Sequence, residues 1–204
     1  MIAVGLLMGL PILKDIPQGL RIFIATIVQG SLWLVCIRAS LGEKFYWYDT
    51  GFSFYPRKWI FAALLLCLIW SLRVFILEPL SFLSFFSTGI EALQTTLHVS
   101  TILEYILLGI STIIISPIIE EVLFRGFVYR VMRSSWSPFI STMTSSLIFG
   151  LAHGVPLYTL NAFLLGIPLA WLYERSGSLV PAMVFHVANN ALFFTVMLLL
   201  PTTT

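Results

Sequence analysis

Charge is what this sequence has least of. Lysine, arginine, aspartate and glutamate together supply 10% of its residues, where soluble domains carry roughly 25%. A surface built from so few charges does not belong to an ordinary soluble domain. The formal net charge of +2 is too small for a nucleic-acid footprint, so nucleic acid is excluded as a partner. Cysteine is nearly absent. Cys36 and Cys67 lie in separate apolar runs, which argues against a disulfide or redox pair and for two small buried hydrophobes. Residues 1–13 lack both a basic leading stretch and an A-x-A-like cleavage site, so a cleaved signal peptide is not expected. Internal repeats and low-complexity segments are missing too, which removes the paired broken helices on which a transporter reading would rest.

What is present is apolar. Hydrophobic residues make up 59% of the chain and the mean hydropathy is +0.99, the composition of a multi-pass integral protein of the cell membrane. At about 20 residues per span, 204 residues have room for six to eight spans and no separate soluble domain. The expected fold class is therefore all-α, a polytopic transmembrane helical bundle forming one membrane-embedded domain over residues 1–204. Candidate spans cover 20–40, 58–78, 100–133, 138–155, 157–173 and 179–200. A seventh, over 1–13, is short and closes at Lys14 and Asp15. Its Gly5 and Gly9 form a small-xxx-small pair suited to close helix contact. The 100–133 segment would be about 50 Å long as one straight helix, so it must tilt, kink near Pro117 or project from the bilayer.

Between the spans, the aromatic cluster Phe45, Tyr46, Trp47, Tyr48, Phe52, Phe54 and Tyr55 reads as a headgroup-level belt. Segment 79–99, broken by proline, serine and glycine, is expected to lie along the interface or dip in without crossing, with His98 an ordinary interfacial histidine. Basic residues gather at particular span ends: Arg57 and Lys58, Arg130 and Arg133, and Arg175. Those ends should face the cytoplasm, so that the 134–137 hairpin and the Glu174-Arg175 turn share one side. Arg73, at the opposite end of its span, is expected to snorkel outward or pair with Glu78.

Against this apolar background three polar groups stand out: Glu120-Glu121-x-x-x-Arg125, Phe149-x-x-x-His153 and His186-x-x-x-Asn190. An ionised carboxylate in hydrocarbon costs several kcal/mol, and an adjacent like charge adds to that cost. Each group contains an i,i+4 pair, whose members lie on one helix face. Glu121 and Arg125 can therefore pair along the helix and leave Glu120 free for chemistry, although spacing alone allows the two carboxylates to exchange roles. Helical rise places the groups at one depth. Glu120 lies about 20 Å from Arg133, His153 about 24 Å from Ser137, and His186 and Asn190 about 16 and 22 Å from Arg175. Singly, each group has a bland explanation, as an ion-pair network or as interhelical hydrogen bonding. Jointly, two carboxylates, two histidines and an asparagine at matching depth are difficult to explain as packing. Ser116-Pro117 either starts a new helix, with the serine as cap, or kinks a long one, and in both cases can open backbone beside Glu120.

Glu120-Glu121-Val122-Leu123-Phe124-Arg125-Gly126, Phe149-Gly150-Leu151-Ala152-His153 and His186-Val187-Ala188-Asn189-Asn190 together resemble the CPBP family of intramembrane proteases. That family includes the CAAX prenyl endopeptidases and the bacteriocin-processing and immunity-associated proteins. All three of its motifs occur in order, within residues 116–190. The resemblance implies an intramembrane endopeptidase acting on a membrane-associated peptide or protein in the lipid bilayer. By motif position, Glu120 and His153 would activate water, His186 and Asn190 would stabilise the oxyanion, and Glu121 and Arg125 would support the first carboxylate. The family has also been described as metal-dependent, in which case His153 and His186 would serve a divalent ion, with zinc the candidate. The metal-free mechanism is preferred, because Asn190 one turn beyond His186 suits hydrogen-bond donation and no H-E-x-x-H helix is present. The short first segment departs from the family's fuller first helix. The alternative function is a non-catalytic membrane scaffold or bacteriocin-immunity-type protein that uses the polar cluster for assembly.

Overall fold

Helix boundaries in this chain follow from its caps. The computed structural model describes residues 15–41, 51, 57–77, 101–154 and 156–199. Within them lie six helices and no strand: α1 (Gln18–Leu41), α2 (Arg57–Leu77), α3 (Ile102–Arg133), α4 (Pro138–Leu151), α5 (Pro156–Ser176) and α6 (Leu179–Leu199). α3 opens on a capping box, in which the Glu104 N–H donates to Thr101 Oγ1 at 3.3 Å and the Thr101 N–H donates to Glu104 Oε2 at 3.2 Å. α4 opens on Ser137, whose hydroxyl accepts from the Ile140 N–H, with Pro138 in the first turn. α4 and α5 are each followed by a glycine with positive φ, Gly154 at +75° and Gly177 at +66°. This is the left-handed conformation that closes a helix without a Cβ penalty.

These boundaries agree with the expected spans to within a few residues. The exception is Pro117, which neither starts a helix nor ends one. Ser116 is itself helical, at φ −58° and ψ −51°, and α3 runs unbroken for 32 residues. The backbone accommodates the proline by widening. Two π-helical segments, Ile110–Ile115 and Phe124–Tyr129, interrupt the α pattern on either side of the carboxylates.

Contacts fix the direction of each helix. Near its start α1 meets the start of α3, where the Gly19 N–H donates to Glu104 Oε1 at 3.4 Å. Near its end Ile37 packs with Val122 and Tyr129, so α1 and α3 run parallel. α6 runs opposite to them: Leu179 lies in the Tyr129 cluster, and Phe194 faces Gly109. α5 runs with α3, because Ala162 joins Phe124 and Phe149 while Tyr173 stacks edge-on with Tyr129. α2 packs through Ala63 and Cys67 on Leu165, Leu169, Leu172 and Phe185, with Trp59 against Trp171. α4 and α5 pack tightly. A Cβ on Gly150 would lie 2.6 Å from the Thr159 carbonyl oxygen, and one on Gly166 would lie 2.8 Å from Ser146 Cβ.

α1, α3 and α6 are each long and apolar enough to cross a membrane. Their outward faces carry exposed Leu32, Val35, Ile102, Ile106, Leu198 and Leu199, side chains suited to lipid. Both cysteines are free; Cys67 is buried, but Cys36 is exposed, because it shares the outward face of α1 with Val35. The segment at 1–13, the aromatic cluster of the 41–57 loop, segment 79–99 with His98, and the Arg73–Glu78 pairing lie outside the described residues and side chains.

Candidate active site

Three helices bring the polar groups together. α3 contributes Ser116, Glu120, Glu121 and Arg125, the end of α4 contributes Phe149 and His153, and α6 contributes His186 and Asn190. Glu121 and Arg125 are both fully buried and pair at 2.9 Å between Oε1 and Nη1. Arg125 Nη2 also donates to the Gly166 carbonyl on α5 at 3.1 Å, and its guanidinium lies 4.6 Å from the Phe149 ring centre. The same Glu121 oxygen meets His186 Nδ1 at 2.8 Å. A carboxylate paired with arginine can only accept, so Nδ1 is the donor and His186 Nε2 is the nitrogen left facing the site. Two charges taken out of water cost several kcal/mol each, and this charge-assisted network offsets that cost.

Glu120 is held differently. Its Oε1 accepts from the Ser116 hydroxyl at 2.7 Å, one turn back on α3. Its Oε2 faces His186 Nε2 at 3.7 Å, too far for a direct hydrogen bond and suited to a shared water. His153 lies just past the end of α4, where its Nδ1 donates to the Phe149 carbonyl at 2.8 Å. A carbonyl only accepts, so in the neutral ring His153 Nε2 carries the lone pair. His153 is within electrostatic range of Glu120 and His186 but forms no direct hydrogen bond with either among the described residues. Phe149 links the parts, packing edge-on against His153 at 4.9 Å, His186 at 5.8 Å and Phe124 at 4.9 Å. Asn190 Nδ2 donates to the Thr112 carbonyl on α3 at 2.9 Å, and its Oδ1 accepts from Asn189 Nδ2 at 3.2 Å.

Glu120, Glu121, Arg125 and His186 therefore form a single network, with His153 beside Glu120 and His186 and with Asn190 one turn beyond His186 on α6, bound to the Thr112 carbonyl. Four contributors escaped the sequence reading. Ser116 stands at i,i+4 from Glu120, a spacing that could have revealed it. Phe149 was read only as a motif letter. The Thr112 and Gly166 carbonyls leave no side-chain signal at all.

Residues 102–192, which contain this network, match the family model described as type II CAAX prenyl endopeptidase Rce1-like. The site-bearing region thus resembles that family. Two curated proteins resemble the chain. One is a Bacillus subtilis protein named "Putative membrane peptidase YdiL", 28% identical over 116 residues, or 57% of this chain and 47% of the relative. The other is an Escherichia coli protein named "Uncharacterized 24.3 kDa protein", 32% identical over 108 residues, or half of each chain. The chain spans about half the length of the curated relatives it matches. No solved structure matches it.

The same donor set bears on whether a divalent ion could be held. His153 and His186 have each committed Nδ1, to the Phe149 carbonyl and to Glu121. Among the described residues, no three His, Cys, Asp or Glu side chains are grouped so as to share an ion. Both histidines leave Nε2 uncommitted, the nitrogen through which a histidine held at Nδ1 can ligate, and a zinc site would need a third protein ligand beside them.

Proposed function

We propose that the chain is an intramembrane endopeptidase that hydrolyses a peptide bond of a membrane-associated peptide or protein. The observation that carries the proposal is the division of labour between the carboxylates. Glu121 is consumed by Arg125 and His186, whereas Glu120 keeps Oε2 open toward His186 Nε2. In this reading a water between Glu120 and the histidines loses a proton to Glu120, assisted by His153 Nε2, and the resulting hydroxide adds to the scissile carbonyl carbon. His186, carrying a proton on Nε2 as well as the Nδ1–H held by Glu121, and Asn190 donate to the alkoxide oxygen that forms. The proton held by Glu120 then passes to the amide nitrogen as the C–N bond breaks, leaving a carboxylic acid and an amine. The reading is metal-independent: every proton in it moves between water, substrate and side chains of this chain.

Purified protein in lipid vesicles should cleave a membrane-tethered reporter peptide. Glu120→Ala should lower kcat by roughly 10²- to 10⁴-fold, the usual contribution of a general base, while the protein stays folded. Undiminished cleavage by that variant would overturn the role of Glu120. Activity should also survive a chelator, and stoichiometric zinc lost together with activity would overturn the metal-free mechanism. If a Glu120→Gln, His153→Ala double variant keeps the cellular phenotype at normal protein levels, the non-catalytic scaffold becomes the better reading.

A further inference from the structure

Asn190 is anchored to a carbonyl that α3 itself cannot use. In the π segment before the carboxylates, the Ser116 N–H donates to the Ser111 carbonyl, five residues back. The next donor in that ladder belongs to residue 117, and its partner would be the Thr112 carbonyl. Residue 117 is proline and has no N–H. With the Ser116 N–H already committed, the Thr112 carbonyl has no backbone donor, and a buried carbonyl left unpaired is costly. The Thr112 hydroxyl is engaged elsewhere, donating to the Leu108 carbonyl at 2.8 Å. The donor that arrives is Asn190 Nδ2, from α6, at 2.9 Å.

We propose that Pro117 is a positioning residue for Asn190: by withholding an N–H it reserves the Thr112 carbonyl for the asparagine amide. The inference rests on the peptidase reading for the role of Asn190 at the substrate, but not for the anchor itself. One Nδ2 proton is spent on Thr112 and Oδ1 is held by Asn189. The plane of the amide is then fixed, and so is the direction of its second N–H, the one that would meet the alkoxide oxygen. The proline thus prepares an oxyanion donor on a different helix.

The test supplies the missing N–H. Pro117→Ala lets residue 117 compete for the Thr112 carbonyl, and kcat should fall by roughly tenfold with KM little changed, as for the loss of one hydrogen bond. In an Asn190→Ala background the same substitution should have almost no further effect on kcat, whereas equal losses in both backgrounds would overturn the proposal. Replacing Pro117 with the hydroxy-acid analogue of alanine, which has the methyl group but no N–H, should restore most of the activity. If the analogue fails just as Pro117→Ala does, in folding or in turnover, the effect belongs to the proline ring and the proposal falls. Should the wild-type protein cleave nothing, the peptidase reading fails separately. The anchor is then read from thermal stability, where the Tm shifts of Pro117→Ala and Asn190→Ala should be non-additive, and additive shifts would reject it.

Discussion

Glu121 is a carboxylate held by two neighbours on one oxygen. Its Oε1 serves both Arg125 and His186, while its Oε2 and Arg125 Nε are buried without a hydrogen-bond partner among the described residues. So tightly enclosed a pair tolerates poorly the loss of one member. Arg125→Leu leaves a buried anion uncompensated, and should destabilise the protein by about 3–5 kcal/mol, measured by thermal or denaturant unfolding in detergent. Adding Glu121→Gln to Arg125→Leu removes the stranded charge while keeping an acceptor for His186, and should recover part of that loss. A double variant less stable than Arg125→Leu alone would contradict this account. The Glu121–Arg125 contact was legible in the sequence, because i,i+4 spacing on a helix brings side chains together whatever the tertiary fold. The contact of His186 with Glu121 rather than Asn190 was not, since it depends on how α6 is rotated against α3, and periodicity in a uniformly apolar helix does not encode rotation.

At the scale of elements, the span pattern was readable almost throughout, because Lys, Arg, Pro and Gly punctuate long apolar runs. The π segments were hidden. They arise where the α ladder is disturbed, and only Pro117 marks that in the sequence. Equally hidden was the tight crossing of α4 and α5, which has a direct consequence for the site. α4 carries Phe149 and His153, and α5 supplies the Gly166 carbonyl to Arg125. A methyl group on Gly150 would meet the Thr159 carbonyl oxygen at 2.6 Å and Phe163 Cβ at 3.0 Å, and the first of these is backbone that cannot turn aside. Gly150→Ala should therefore part the two helices and cost about 1–3 kcal/mol, the range for overpacking. Because His153 lies three residues further on, kcat should fall more steeply than stability. Full activity with an unchanged Tm would show that the crossing has slack.

At the scale of the whole molecule, the helix directions gather most of the described basic residues at one end, Arg21 at the start of α1 and Arg73 toward the end of α2 being the exceptions. Arg133 Nε pairs with Glu174 Oε1 at 3.1 Å, and Tyr129 donates to Glu174 Oε2 at 2.9 Å. The 134–137 hairpin and the last turn of α5, which carries Glu174 and Arg175 and so replaces the turn expected there, therefore share a side. The Leu179 N–H donates to the Gly51 carbonyl at 2.9 Å, which brings Gly51 to that end as well. Arg38 follows because α1 parallels α3, and Arg57 and Lys58 because Trp59 stacks on Trp171. The opposite end has Glu104 buried in its capping box. An excess of lysine and arginine in short connections marks the cytoplasmic side, each such residue gaining about 1 kcal/mol near an anionic leaflet. The basic end should thus be cytoplasmic, with the active site reached part-way across the bilayer. The test begins from a background carrying Cys36→Ser and Cys67→Ala, with single cysteines introduced at the exposed positions Ser135, Arg175 and Thr101. In intact cells a membrane-impermeant thiol reagent should label the Thr101→Cys protein and spare the other two until the cells are opened. Labelling of Ser135→Cys and Arg175→Cys from outside, with Thr101→Cys protected, would invert the orientation. Labelling of Ser135→Cys and Arg175→Cys from opposite sides would contradict the Arg133–Glu174 contact, and with it the packing of α5 against α3 that delivers the Gly166 carbonyl to Arg125.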